Sequence, residues 1–315
     1  MKLLAVPLAR LTPKAAPLLS FVAVPPAKAP VQDGPPPLST RLLTRASDFW
    51  AGLGKPGQKS VGDWKRRTYV TGERLMDRIE YEEWALKGID PSLGPKTKGE
   101  KIDVGEKLSL LHPPGLGSAQ VMHSLSALAA RRTPHHRKYL IWCIVGMPFT
   151  APFALIPVVP NLPFFYLVWR AYSHWSAYRS SSYLSELLAA KRIVPEPSKE
   201  LDDVLRTPAP PPSASEASAS ESSEAAAPQE AETPAASSSA ELLLLAHHVP
   251  ALVGTFKLDH QRHIDLDRAR AQLALALRKN ELATLERAVE EGAAVAQEKE
   301  QQREEQKQQE SAKDK

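Results

Sequence analysis

The sequence predicts a mainly α-helical chain: a small N-terminal α(+β) region, a proline-broken apolar helical hairpin or re-entrant segment, a disordered linker, and a C-terminal amphipathic helix. Three observations predict this. Tyr139 to Trp169 is a run of 31 residues without Asp, Glu, Lys, Arg or His, in a chain that is 24% charged. Thr207 to Ala240 is built of Pro, Ala, Ser and Glu, with five acids, no base and no aromatic residue. Leu258, Leu266, Leu273, Leu277, Leu282, Leu285 and Val289 then recur without an intervening proline, the pattern of a helix with one apolar side.

Residues 1–34 form a basic N-terminus, acid-free up to Asp33, with Lys2, Arg10, Lys14 and Lys28. That charge bias belongs to a mitochondrial presequence. Five prolines before Ala27 would interrupt the amphipathic helix of such a segment, and a short strand around Leu3 to Pro7 reads equally well. Residues 35–132 read as a folded region. Leu42, Leu43, Ala46 and Phe49 lie at helical spacing, and Trp50, Trp64 and Trp84 are packing anchors. Glu80, Glu82 and Glu83, interleaved with Arg74, Arg78 and Lys87, read as a mixed-sign surface or as partners for nearby arginines. Pro91 to Pro114 reads as an exposed loop, and Gly115-Leu116-Gly117 lacks the spacing and the preceding strand of a nucleotide loop. Val121, Leu125, Leu128 and Ala129 share one face of a short helix over Ser118 to Arg132.

The apolar run organises residues 133–192. As one helix it would be roughly 46 Å long, well beyond a hydrocarbon core of about 30 Å. Pro148, Pro152, Pro157, Pro160 and Pro163 also remove amide donors. The expected form is one helix from about Thr133 to Met147, a broken middle, and a second helix opening at Asn161 or Leu162. Asn161 is then the N-cap and Pro163 lies in the first turn. Arg131, Arg132, Arg137 and Lys138 precede the run, and Arg170, Arg179, Lys191 and Arg192 follow it. Because both flanks are basic, the positive-inside tendency places both ends on one side of a membrane. The alternatives are a single tilted transmembrane helix, which would carry one basic flank across, and a buried hairpin within a water-surrounded domain, since the arms are short for spans.

Tyr166, Trp169, Tyr172, Trp175 and Tyr178 recur every third residue. They suit interfacial anchors, with an apolar ring and a wet polar tip. Arg170 and His174 share a helix face, directed at lipid head groups or an ion path, or simply solvated beside an aromatic core stripe. His135 and His136, with His123, are read as part of a basic juxtamembrane cluster and not as metal ligands, because no cysteine or carboxylate joins them at ligand spacing. The candidate functional positions are Pro157, Pro160, Asn161, Pro163, Arg170, His174 and Trp175.

Residues 207–240 cannot bury enough apolar area to offset chain entropy and are expected as disordered linker. Residues 241–296 form an amphipathic helical region, either returning onto the N-terminal domain or offering a partner a helix over 258–290. Residues 297–315 are a charged tail. The lone cysteine, Cys143, excludes a disulfide framework within one chain. No nucleophile, metal or phosphate-binding constellation rises above background, so an enzyme, a cofactor and a nucleic-acid partner are not expected.

Two blocks carry a family resemblance. Arg78-Ile79-Glu80-Tyr81-Glu82-Glu83-Trp84-Ala85-Leu86-Lys87 and Ile156 to Trp175 (IPVVPNLPFFYLVWRAYSHW) resemble the signature blocks of the fungal mitochondrial potassium/proton exchange-related proteins. Met1 to Arg10 also resembles the usual opening of that family, which favours a retained strand. The first block departs at Glu80 and Ala85, where members more often carry Pro and Gly. The resemblance implies a mitochondrial inner-membrane protein connected with potassium/proton balance and organelle volume. Membrane lipid is then a partner, together with a second copy or another inner-membrane protein. An exchanger needs ionisable groups within the membrane, and the charge-free run supplies none. An accessory or regulatory component is therefore expected over a complete exchanger, with a membrane-anchored scaffold or assembly factor as the alternative.

Overall fold

A computed structural model describes residues 1–10, 12, 15–26, 45, 70, 79–97, 106–150, 152, 162–208, 241–278, 287, 290–298, 301–303 and 305–306. Leu42, Leu43, Ala46, Phe49, Trp50, Trp64, the linker beyond Pro208 and the leucines beyond 278 lie outside these residues. So do Pro157, Pro160 and Asn161.

The N-terminus forms two strands, β1 (Lys2–Arg10) and β2 (Leu18–Val24), paired antiparallel with a register shift between Pro7 and Ala9. β3 (Leu108–His112) runs parallel to β1, and β4 (Ile193–Pro197) parallel to β3. The order is β2-β1-β3-β4, and β5 (Glu241–Leu242) pairs with the far end of β1. The chain is mainly helical around this mixed sheet. β3 corrects the expected exposed loop: Leu108 and Leu110 are fully buried. It also gives Gly115 and Gly117 the preceding strand that the sequence reading denied them.

β1 is buried along nearly its whole length, on both faces. Leu3 and Ala5 join one core and Leu4, Val6 and Leu8 the other, because successive side chains point to opposite sides of a strand. Such a strand reads as a continuous apolar run, as KLLAVPLAR does. Two long helices, α2 (Ser118–Thr150) and α3 (Leu162–Ala189), follow β3 and return the chain to β4. They cover the first face through Val121, Leu125, Leu128 and Ala129 of α2 and Ala177, Tyr183, Leu184 and Leu187 of α3. The second face is covered by α4 (Lys199–Arg206), α5 (His248–Phe256) and α6 (His260–Arg278), through Leu201, Leu252, Leu266 and Leu273. Residues beyond the linker thus return onto the N-terminal strands.

The two helices expected over Ser118 to Arg132 and Thr133 to Met147 are one 33-residue helix, α2, which carries Pro134 and Pro148 within it. At 1.5 Å per residue it is roughly 50 Å long. His136 meets His174, and a Cβ at Gly146 would lie 3.3 Å from Leu167, so α2 and α3 run antiparallel. Neither core includes α2 beyond Ala129 or α3 before Ala177. The outer parts of both helices therefore project beyond the layered body. Among the described residues no helix is long and apolar enough to cross a membrane, so the expected transmembrane helix is absent there. The physical reason is the length of the arm: the charge-free part of α2, Tyr139 to Thr150, is roughly 18 Å long.

Candidate functional site at the neck of the helical pair

A short helix, α1 (Tyr81–Lys87), sits where α2 and α3 leave the body, and it buries Tyr81, Glu82, Glu83, Trp84 and Leu86. Its position is fixed from the other layer. Gln272 of α6 accepts from the Tyr81 amide at 2.9 Å and donates to the Ile79 carbonyl at 2.7 Å, and Arg262 donates to the Gly88 carbonyl at 2.6 Å. Leu86 anchors α1 in the first core.

From this anchored helix two carboxylates enter the gap between α2 and α3. Glu82 receives Arg131 through both oxygens at 2.6 Å, and also Arg132, which further pairs with Glu80. Glu83 receives Arg170 of α3 at 2.8 and 3.3 Å, and the Ser173 hydroxyl at 2.6 Å. Of the two expected roles, the mixed-sign surface is corrected, since Glu82 and Glu83 are 7% and 4% exposed, while pairing with arginines holds, through arginines distant in sequence. Three guanidiniums face three carboxylates, so the neck is polar inside yet balanced in formal charge.

Just outward of this network two histidines meet. Nδ1 of His136 lies 3.1 Å from Nδ1 of His174, and both rings are buried. Tyr139 stacks on His174 with centroids 5.6 Å apart. Burial drives the His136 imidazole down to about 3 against the opposing pull of Glu83. Burial and then Arg170 lower His174 to about 4. Both are neutral near pH 7. Burial alone would raise the Glu83 carboxyl, but Arg170 and Ser173 outweigh it and hold it below the ordinary carboxylate range. Lys87, over the Trp84 ring at 3.8 Å, is lowered by burial to about 8. Glu83, His136 and His174 each place a potential ligand atom within 4.8 Å of the other two.

The structure brings some of the sequence candidates together and separates others. Arg170 and His174 share a face, as expected, but that face is turned inward: Arg170 is ion-paired and His174 buried, so neither is a solvated charge. Tyr166, Tyr172 and Trp175 are exposed at 43%, 43% and 44%. Trp169 lies beside the Arg170 guanidinium at 5.8 Å, and Trp175 beside Arg179 at 5.7 Å. Tyr178 is half-buried, and Pro163 falls within the first turn of α3.

The residues missed by sequence reasoning are Glu82, Glu83, Ser173, Arg131, Arg132 and His136 as one cluster. A local signal existed in α3, where Arg170, Ser173, His174 and Ala177 are spaced i, i+3, i+4, i+7 and alternate with the outward aromatics. Arg132 and His136 repeat that spacing on α2.

Beyond this neck, Ile141, Trp142, Ile144, Val145, Phe149, Phe165 and Val168 are between 40% and 76% exposed. Arg137 and Lys138 are exposed where this apolar surface begins.

Comparison with known proteins places the architecture in a family. An uncharacterised protein of Schizosaccharomyces pombe is 32% identical over 166 residues, covering 53% of this chain and 70% of that protein. An uncharacterised protein of Saccharomyces cerevisiae is 32% identical over 120 residues, 38% of this chain and 37% of that protein. No solved structure matches significantly. Residues 2–188, from β1 through the neck to the end of α3, match the family described as mitochondrial K+-H+ exchange-related, and the chain belongs to it.

Proposed function

We propose that this protein acts at the mitochondrial inner membrane as an accessory or regulatory component of potassium/proton exchange, with the outer ends of α2 and α3 inserted partway into lipid. One observation carries the reading: contiguous large apolar side chains, with Trp142 at 64% and Phe149 at 76% exposure, cover the projecting ends of two helices that have no charge between Tyr139 and Trp169. Exposed apolar surface of this extent marks a protein or membrane contact. An arm of roughly 18 Å reaches about half-way through a hydrocarbon core of about 30 Å. Arg137 and Lys138 would meet anionic head groups at the rim, each contributing about 1 kcal/mol. Tyr172 and Trp175, beside His174, suit the same depth.

The accessory role follows from chemistry. Among the described residues, the projecting ends offer a moving proton no carboxylate, histidine or lysine, and a potassium ion no cage of oxygen ligands. The carbonyl of Ile144, released by Pro148 of α2, needs a partner in an apolar medium. A helix from a second copy, or from another inner-membrane protein, supplies it.

The test is flotation of the purified full chain with phosphatidylcholine–phosphatidylserine vesicles. Binding is expected, weakened by salt as the Debye length shrinks. The double substitution Trp142→Asp/Phe149→Asp should weaken partitioning on the order of 100-fold or more, because two large side chains at about 2 kcal/mol each lose their apolar contact. Mitochondria carrying only that variant should show the altered potassium-driven swelling of mitochondria lacking the protein. Undiminished flotation of the variant would remove the membrane reading.

A further inference from the structure

We propose that Glu83, His136 and His174 form a binding site for a divalent transition-metal ion of the zinc class. Two imidazole nitrogens and one carboxylate are a borderline nitrogen/oxygen donor set, suited to Zn2+ and Co2+. They are unsuited to potassium or magnesium, which take oxygen ligands. The site is therefore distinct in chemistry from the ion in the family's description, and it does not depend on lipid insertion.

The geometry supports the assignment. The three donors come from three separate helices, α1, α2 and α3, all buried and within 4.8 Å of one another. In a tetrahedral site with metal–ligand bonds of about 2.0–2.1 Å, neighbouring donor atoms stand roughly 3.3 Å apart. The two Nδ1 atoms stand at 3.1 Å. Without a metal, that pair can share only one proton, so two buried imidazoles meet through a single N–H···N contact. Three buried donors converging from three helices on one point suit a shared ligand.

Glu83 is held through both carboxylate oxygens. Arg170 and Ser173 fix its carboxylate, the arrangement by which outer-shell partners orient a ligating group. The same contacts limit affinity. Glu80, Glu82 and Glu83 already balance Arg131, Arg132 and Arg170. An incoming dication adds two positive charges, so its binding should loosen Arg170 from Glu83. Three protein donors leave a fourth position for water or a small ligand.

The experiment uses the full-length protein in mild detergent, stripped with a chelator and titrated first with Co2+ and then with Zn2+. One equivalent of Co2+ should give the intense visible bands of a four- or five-coordinate ion, and Zn2+ should abolish them. His136→Gln, His174→Gln and Glu83→Gln should each weaken binding by more than about 100-fold, since loss of an outer-shell partner alone costs 10–100-fold. His135→Gln should leave it intact. Zn2+ should raise the thermal transition of the wild type and of His135→Gln, and not that of the three ligand variants.

His174→Cys guards against a merely structural effect. It should retain Co2+ and add sulfur-to-metal charge-transfer bands in the near ultraviolet. Absence of visible bands in the wild type would overturn the proposal. So would unchanged binding in a His136→Gln/His174→Gln double variant, which would place the metal outside the neck.

Discussion

Glu82→Gln is expected to destabilise the protein by about 3 kcal/mol, toward the lower end of the cost of breaking a buried ion pair. The side chain is 9% exposed and accepts from both Arg131 and Arg132. Its replacement leaves two guanidiniums facing a neutral amide where water hardly enters. Arg132, at 6% exposure, keeps only Glu80, which is itself 57% exposed. Arg131, at 23%, regains part of its hydration, which holds the cost below the top of the range. The measurement is the urea midpoint of the wild type against Glu82→Gln and Asp90→Asn. Asp90 pairs with Arg179 at 3.4 Å with both partners about half exposed, so its loss should change stability by under about 0.5 kcal/mol. A Glu82→Leu/Arg132→Met double variant should recover stability relative to Glu82→Gln, because paired apolar residues replace a buried charge pair at little cost. If Glu82→Gln and Asp90→Asn have the same midpoint, the neck is not held by buried charge.

The neck is also where sequence reasoning fell short, for a physical reason. The segments that carry Glu82 and Glu83 meet Arg131, Arg132, Arg170 and Ser173 across separations of 49 to 90 residues. Helical periodicity reports which side of one element is apolar, and nothing about which distant element it faces. The basic residues before Tyr139 therefore looked like a uniform flank, although Arg132 and His136 point inward while Arg137 and Lys138 point outward. Features set by local composition were legible: the apolar strand at Leu3, the inward face of α2 at Val121, Leu125, Leu128 and Ala129, and the opening of α3 at Leu162. β3 was not, because five residues beside glycines, prolines and lysines carry too little pattern, and its burial comes from being flanked by β1 and β4. The division between Arg132 and Thr133 did not hold, since α2 continues through Pro134.

Truncation after Pro208 is expected to abolish the native fold, although the family match ends at 188. The apolar groups of β1 that point to the second face, Leu4, Val6 and Leu8, are packed among Leu244, Val249, Leu252, Leu258, Leu266 and Leu273. At about 1.5–3 kcal/mol for each fully buried side chain, those six contribute on the order of 10 kcal/mol. That equals the whole net stability of a typical domain, about 5–15 kcal/mol. The effect reaches the neck as well. Gln272 and Arg262, which hold α1 and hence Glu82 and Glu83 in place, lie on the removed helix. A truncated 1–208 chain should therefore lose its near-ultraviolet dichroism, become sensitive to protease within β1 and α1, and bind no metal at Glu83. A peptide of residues 241–278 added in trans should restore protease resistance, since it carries β5, α5 and α6 together. A cooperative unfolding transition in the truncated chain alone, with β1 protected, would show that the C-terminal helices are a dispensable addition and that the sheet closes without them.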